Sequence, residues 1–236
     1  MEYNAQRPMR VITLCSGYDS QCMALDRLKE TFPGFDYELV AWAEIDKFAC
    51  QAHDALYPQW ADRNIGDITK VDWTTVPKCD LLTYSTPCQS VSIAGKMEGI
   101  TEGSGTASAI LWNCREAIRI LRPRYLLQEN VKGLVSKTFR PQFLLWQQGL
   151  EEMGYTNFYK VLDAKDYGVP QHRERIFAVS ILDEHAKYHF PKKIPCTLCM
   201  KDMCEDDDEV DESYYLSDQR LENLRLFVPV EELYED

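Results

Sequence analysis

The sequence has no apolar run approaching the ~18 residues that a membrane span requires. Its opening, "MEYNAQRPMR", lacks the apolar stretch of a secretory signal. Nothing read this way takes the chain out of the cytoplasm, and no membrane partner is expected. Positive charge is also short: 26 Lys and Arg stand against 38 Asp and Glu, a net charge of −12. A basic footprint for nonspecific nucleic-acid binding is therefore missing from the composition. The deficit is local, however. From Glu205 to Asp236 thirteen acids face two bases, Arg220 and Arg225, a net of −11 that leaves only −1 on residues 1–204. The argument against nucleic acid thus applies to the tail and hardly to the body. There is no internal repeat. Nine cysteines, an odd and scattered set in a chain of 236 residues, do not form a small disulfide scaffold, and reduced thiols are the simpler reading.

What is present is an alternation of strand and helix patterns. Arg10–Cys15 is a short apolar run closed by Ser16-Gly17 and predicts a first strand. "SQCMALDRLKETF" has helical spacing and stops at Pro33-Gly34. "YELVAWAEID" predicts the second strand and "KFACQAHDALYP" a helix closed by Pro58. A short third strand is expected before Gly66-Asp67, and "CDLLTYS" predicts a fourth. "SAILWNCREAIRIL", "RYLLQEN" and "FLLWQQGLEEMG" continue as helix, strand and helix. "TNFYKVLDA" and "RIFAVSIL" complete seven strands; the linker between them has no room for a helix, so one of the two should run antiparallel. This predicts a doubly wound, mostly parallel α/β sheet. The pattern weakens from Phe190. Residues 1–190 are therefore expected to form the main domain and 191–236 an acidic extension ending in a short helical piece.

In such sheets ligands bind at the carboxyl ends of the strands. Four polar or reactive stretches fall there: Ser16-Gly17, Glu44, Pro87-Cys88 and Glu129-Asn130. Glu44, at the end of the second strand, can accept both hydroxyls of a ribose, or else serve as a surface acid capping the next helix, as Asp46 also could. The loop "CSGYDSQ" has one glycine and is not a GxGxxG, so a nucleoside cofactor without a pyrophosphate fits better than a dinucleotide. Free cysteines are usually small buried hydrophobes. Cys88 differs in standing between Pro87 and "QSVS", in a turn at the sheet's edge, where a thiolate can act as nucleophile. Arg173 and Arg175, two apart at a strand start, point to one side. They are either an exposed basic strand end or a clamp for an anion or carbonyl beside the thiol.

Taken in order, "TLCSGYDSQ", "AWAEIDKFA", "NIGDITKVD", "DLLTYSTPCQSVSIAG", "GSGTASAILW", "YLLQENVKGL" and "DAKDYGVPQHRERIFAVSI" resemble the C5-cytosine methyltransferases that use S-adenosylmethionine, over about residues 10–182. The resemblance implies roles. Cys88 attacks C6 of a cytosine, which turns C5 into a nucleophile for the methyl group. Glu129 holds the base at N3, Arg175 bonds O2, and Arg173 helps to position Cys88 and the nucleotide. Ser16 and Gly17 line the methionine end of S-adenosylmethionine, Glu44 holds the ribose, and Ile45 packs on the adenine. Asp67, with Ile68, meets the adenine amino group, and Pro87 lies near the methyl donor. The implied partner is duplex DNA with the target cytosine flipped out of the stack. The same chemistry on tRNA, or a non-catalytic cofactor-binding subunit, are the alternatives.

Two departures stand out. Asp19 occupies the position of the second glycine in the family's Phe-x-Gly-x-Gly motif. After Leu182 only about fifty residues follow, without the target recognition domain or the two closing motifs. The expectation is that a further segment or a second polypeptide supplies them. "CTLCMKDMC", Cys196 to Cys204, has one CxxC without a matching pair and is read as three incidental thiols on a turn rather than a zinc site.

Overall fold

Alternating burial along the strands decides the architecture, a computed structural model that describes residues 2–87, 110–206 and 208–225. Six strands form one sheet in the order β2-β1-β3-β4-β6-β5. They are β1 (Met9–Leu14), β2 (Tyr37–Ala43), β3 (Leu81–Tyr84), β4 (Tyr125–Val131), β5 (Thr156–Asp163) and β6 (Glu174–Ile181). The first four are mutually parallel, and β6 runs antiparallel to both its neighbours. The helices are α1 (Ser20–Thr31), α2 (Lys47–Leu56), α3 (Leu111–Leu121), α4 (Arg140–Glu152) and α5 (Asp218–Arg225).

The strand expected before Gly66 is reduced to one parallel bridge from Asn64 to Trp42, with the Ile65 amide donating to the Trp42 carbonyl at 2.8 Å. The described sheet accordingly has six strands, not seven. The reason is local. The Asn64 side-chain amide donates to the Glu44 carbonyl (3.2 Å) and accepts from the Gly66 amide (2.8 Å). Gly66 then leaves the extended region at φ 71°. A residue whose side chain bonds its own surroundings in this way ends a ladder rather than continuing it.

Residues of β4 alternate between two environments. Leu126, Gln128 and Asn130 are buried. They face the side of the sheet packed by α3 and α4, where Cys114, Ile118, Phe143, Trp146 and Leu150 share one core with Ile12, Leu82 and Leu126. Trp146 is almost fully buried, and its indole N–H donates to the Tyr84 hydroxyl at 3.3 Å. On the opposite face Val11 and Leu39 pack under Cys22 and Leu25 of α1. Leu127, Glu129, Arg175 and Phe177 also belong to that face, but they line a cavity instead of a core.

Beyond β6 the chain returns along β5. Tyr188 packs on Phe158 with ring centroids 5.8 Å apart. The Tyr167 hydroxyl donates to the Pro191 carbonyl (3.3 Å), and the Ile194 amide donates to the Asp166 carbonyl (2.7 Å). These ties bring Ile194 to the edge where the strands β1, β3 and β4 end. Among the described residues no helix is long and apolar enough to cross a membrane.

Candidate active site

The strand ends converge on one cavity of about 960 Å³. Ser16 and Gly17 reach it from the loop after β1, Glu129 from β4, and Arg173 and Arg175 from the start of β6. The antiparallel register makes this possible. Val131 lies opposite Arg175 and Glu129 opposite Phe177, so Glu129 and Arg175 are diagonal neighbours on one face. The Arg175 Nε stands 3.1 Å from Glu129 Oε1, both side chains being less than one-third exposed. Burial pushes the Glu129 carboxyl above its usual range, while the charges of Arg175 and Arg173 and the Ser85 hydroxyl pull against it without cancelling it. The site is thus an acid with raised proton affinity next to two fixed cations.

Arg173 is held through its backbone. Its amide donates to Asp163 Oδ1 at 2.9 Å, and Asp163 Oδ2 lies 2.6 Å from His172 Nδ1. The end of β5 therefore sets the approach of the loop that carries the cation. Both arginines do face one side, as their spacing predicts.

The expected cofactor half is built around Glu44. Its Oε2 accepts from the Gly17 amide (2.9 Å), and its Oε1 accepts from the amides of Ile45 (2.8 Å) and Asp46 (2.9 Å). Helix α2 is capped by Asp46, whose Oδ1 accepts from Phe48 and Ala49, so Glu44 is not the capping acid. A carboxylate offers about four acceptor positions, and three are taken by backbone. One remains on Oε2 for a sugar hydroxyl. Ile45 beside it is 72% exposed, an apolar side chain presented without a protein partner to bury it. Asp67 is held ionised, pushed down to about 2, by the Thr69 hydroxyl and amide and by Lys70. Cys15 feels both acids: burial first, then the charges of Glu44 and Asp67, push its thiol up to about 12. Ile68 is 5% exposed, and its side chain belongs to the core. Its backbone alone is available to a ligand.

Cys88 lies outside the described residues. The chain leading to it is placed: Asn130 Nδ2 donates to the Thr86 carbonyl at 3.1 Å, fixing the segment one residue before Pro87 at the end of β4. Several side chains near the site are assigned no role by the sequence. Asp19 is fully buried at φ 68°. Its carboxylate caps α1 at the Cys22 amide (3.3 Å) and accepts from the Thr13 hydroxyl (2.7 Å). It stands 3.8 Å from Nε2 of His53, a fully buried ring stacked on Trp42 at 3.6 Å. Gln21 and Ser85, at the cavity's inner wall, are bonded to each other at 3.2 Å. A glycine position filled by aspartate was the visible hint for the first. Only the register of β3 against β4 reveals the last two.

In the tail, the Cys196 and Cys204 thiols donate to the carbonyls of Leu198 (3.5 Å) and Met200 (3.4 Å). Among the described residues no three His, Cys, Asp or Glu side chains gather as metal ligands.

A mostly parallel α/β sheet with an acid and two arginines at its ligand-binding edge defines a class of small-ligand enzyme folds, and the likeness to known proteins makes it a methyltransferase. The chain belongs to the C-5 cytosine-specific DNA methylase family, whose model matches residues 9–234. It is 42% identical over 160 residues to the type II methyltransferase M2.ScrFI of Lactococcus lactis subsp. cremoris, spanning 68% of this chain and 44% of that protein. It is 32% identical over 209 residues to the type II methyltransferase M.HaeII of Haemophilus aegyptius, spanning 87% and 64%. A solved methyltransferase of Entamoeba histolytica has the same fold, with a TM-score of 0.70 at 16% identity over 90% of this chain and 64% of that one. The chain therefore spans about half to two-thirds of the length of these relatives.

Proposed function

We propose that this chain carries the catalytic face of an enzyme that methylates C5 of cytosine in DNA. The observation that carries the reading is the Glu129–Arg175 pair, 3.1 Å apart, in a cavity continuous with the Ser16-Gly17 loop. Cytosine presents an N3 acceptor and an O2 acceptor side by side. A carboxyl with raised proton affinity suits the first and a guanidinium the second. Holding both orients the ring and stabilises the charge that develops as a nucleophile adds at C6. Cys88, two residues after Thr86, is the proposed nucleophile. Its sulfur adds to C6, the displaced electron pair makes C5 nucleophilic, and N3 takes the proton held by Glu129. Once C5 carries the methyl group, loss of the C5 proton to water re-forms the C5–C6 double bond, the C6–S bond breaks to release the thiolate, and N3 returns its proton to Glu129. The target atom is inaccessible in a stacked duplex, so the base is flipped into the cavity. Arg173, positioned by Asp163, serves the flipped nucleotide's backbone.

S-adenosylmethionine, when bound, supplies the activated methyl group. The residues present fit it. Ser16 and Gly17 would receive its methionine end, the remaining lone pair of Glu44 a ribose hydroxyl, the exposed Ile45 the adenine face and Asp67 the adenine amino group, with Pro87 near the donor. The test is incorporation of tritiated methyl groups into mixed-sequence DNA and, in parallel, into tRNA. Transfer to DNA that is lost in Glu129→Gln and Cys88→Ala, with no transfer to tRNA, supports the reading. Transfer to tRNA alone, or wild-type rates in either variant, overturns it.

A further inference from the structure

A line of side chains crosses from helix α1 to Glu129. Gln21 stands in the first turn of α1, four residues past Gly17, and its Nε2 donates to Ser85 Oγ at 3.2 Å. Ser85 is the first residue beyond β3, and its amide donates to the Leu14 carbonyl at 3.3 Å. It is thereby anchored at the root of the Ser16-Gly17 loop. The parallel register pairs Tyr84 with Gln128, so the next step along both strands sets Ser85 beside Glu129. A hydroxyl has one proton to give and two lone pairs. With one lone pair engaged by the Gln21 amide, the proton is turned toward the carboxylate. The Ser85 hydroxyl pulls the proton affinity of Glu129 down, as a donor beside a carboxylate does. Glu129 is therefore flanked on the β3 side by Ser85 and paired on the β6 side with Arg175.

We propose that Gln21 and Ser85 are positioning residues, a relay that aims the Glu129 carboxyl and sets when it holds its proton, tying the acid to the loop that receives the cofactor. This rests on the reading of Glu129 as the group that holds the cytosine ring. Titratable and charged groups from the other elements line the same cavity, Cys15 and Tyr18 from the loop after β1 among them. Arg175 and Arg173 come from β6 and its lead-in, and Asp163 and Tyr167 line the cavity from the β5 side. From α1 the cavity receives the neutral Gln21 and Ser20.

A donor to the ionised carboxylate favours ionisation, so its removal makes Glu129 keep its proton to higher pH. In glutamate-labelled protein, with the Glu129 carboxyl resonance assigned by Glu129→Gln, Ser85→Ala should move its ¹³C titration upward on the order of one pH unit. Gln21→Leu should move it in the same direction by less, and Ser85→Thr should restore it. The alkaline limb of DNA methylation should follow the same order. Gln21 is half-buried at the cavity wall, so its variant reports even if Ser85→Ala folds poorly. Unmoved titration in both Ser85→Ala and Gln21→Leu, with methylation still lost in Glu129→Gln, overturns the relay and leaves the role of Glu129 standing. Full methylation by Glu129→Gln removes the role itself, and the relay's purpose with it.

Discussion

Glu129 shows what a buried acid at the candidate site costs the fold. Its carboxyl is raised by burial, so the folded protein binds more protons than the unfolded chain as pH rises from the ordinary carboxylate range into the raised one. Stability falls across that window and is not recovered above it. Glu129→Gln should therefore be more heat-stable than the parent at pH 7. The two should converge below about pH 4.5, where the carboxyl is protonated in both states. Thermal melts at pH 4 and pH 7 check this, and equal differences at both values would contradict it. Asp19 is the other residue with a double duty. Left-handed backbone costs a side chain about 1–2 kcal/mol unless, as with Asp, it bonds locally. Asp19 does so, to the Cys22 amide and the Thr13 hydroxyl. Asp19→Leu should lose both the cap and the tolerance of φ 68°, on the order of 2 kcal/mol or more in denaturant unfolding. Asp19→Gly should lose less, since glycine adopts that φ freely. The sequence marks Asp19 as a departure from the family's glycine. It cannot show that the carboxylate turns inward, because that depends on Thr13 and His53 arriving from two other elements.

Among the elements, those with a strong period are legible and those decided by side-chain chemistry are not. The spacing of Leu111, Cys114, Ile118 and Leu121 places one face of α3 in the core, where the structure buries all four. The short link between β5 and β6 already requires an antiparallel strand. The missing strand before Gly66 is the counterexample, since nothing in the local pattern reveals that the Asn64 amide bonds backward to Glu44. Spacing alone leaves Arg173 and Arg175 open between an exposed strand end and a clamp, and it is the resemblance that sets them beside Glu129, whereas Gln21 and Ser85 need the register of β3 on β4. Helix α4 is held to the sheet chiefly by Phe143, Trp146 and Leu150. Trp146→Ala opens a hole that the rigid sheet below cannot close and also frees the Tyr84 hydroxyl from its indole donor. Its cost should be about 3–5 kcal/mol, read from urea unfolding of the purified protein.

Over the whole molecule the charge is divided, with −11 carried by residues 205–236 and −1 by all that precedes them. A duplex approaching Arg173 and Arg175 meets a neutral body and an acidic tail. Replacing the acids of residues 205–212 by their amides should raise DNA affinity at low salt, and the gain should fade as added salt shortens the screening length to about 3 Å at 1 M. Filter binding across a salt series is the check, and a gain that persists at high salt would point to a contact rather than a field. The return of the chain along β5 has a further consequence, one of reach. Strand β6 starts at the edge of the candidate site and ends at the opposite one, yet by Ile194, bonded to Asp166, the backbone is back beside the loop that carries Arg173. An extended chain covers at most about 3.3–3.6 Å per residue. Without that return, any module joined beyond β6 would spend much of its tether crossing the sheet. With it, a reporter, a tag or a DNA-reading module fused after Ile194 begins its journey beside the candidate site.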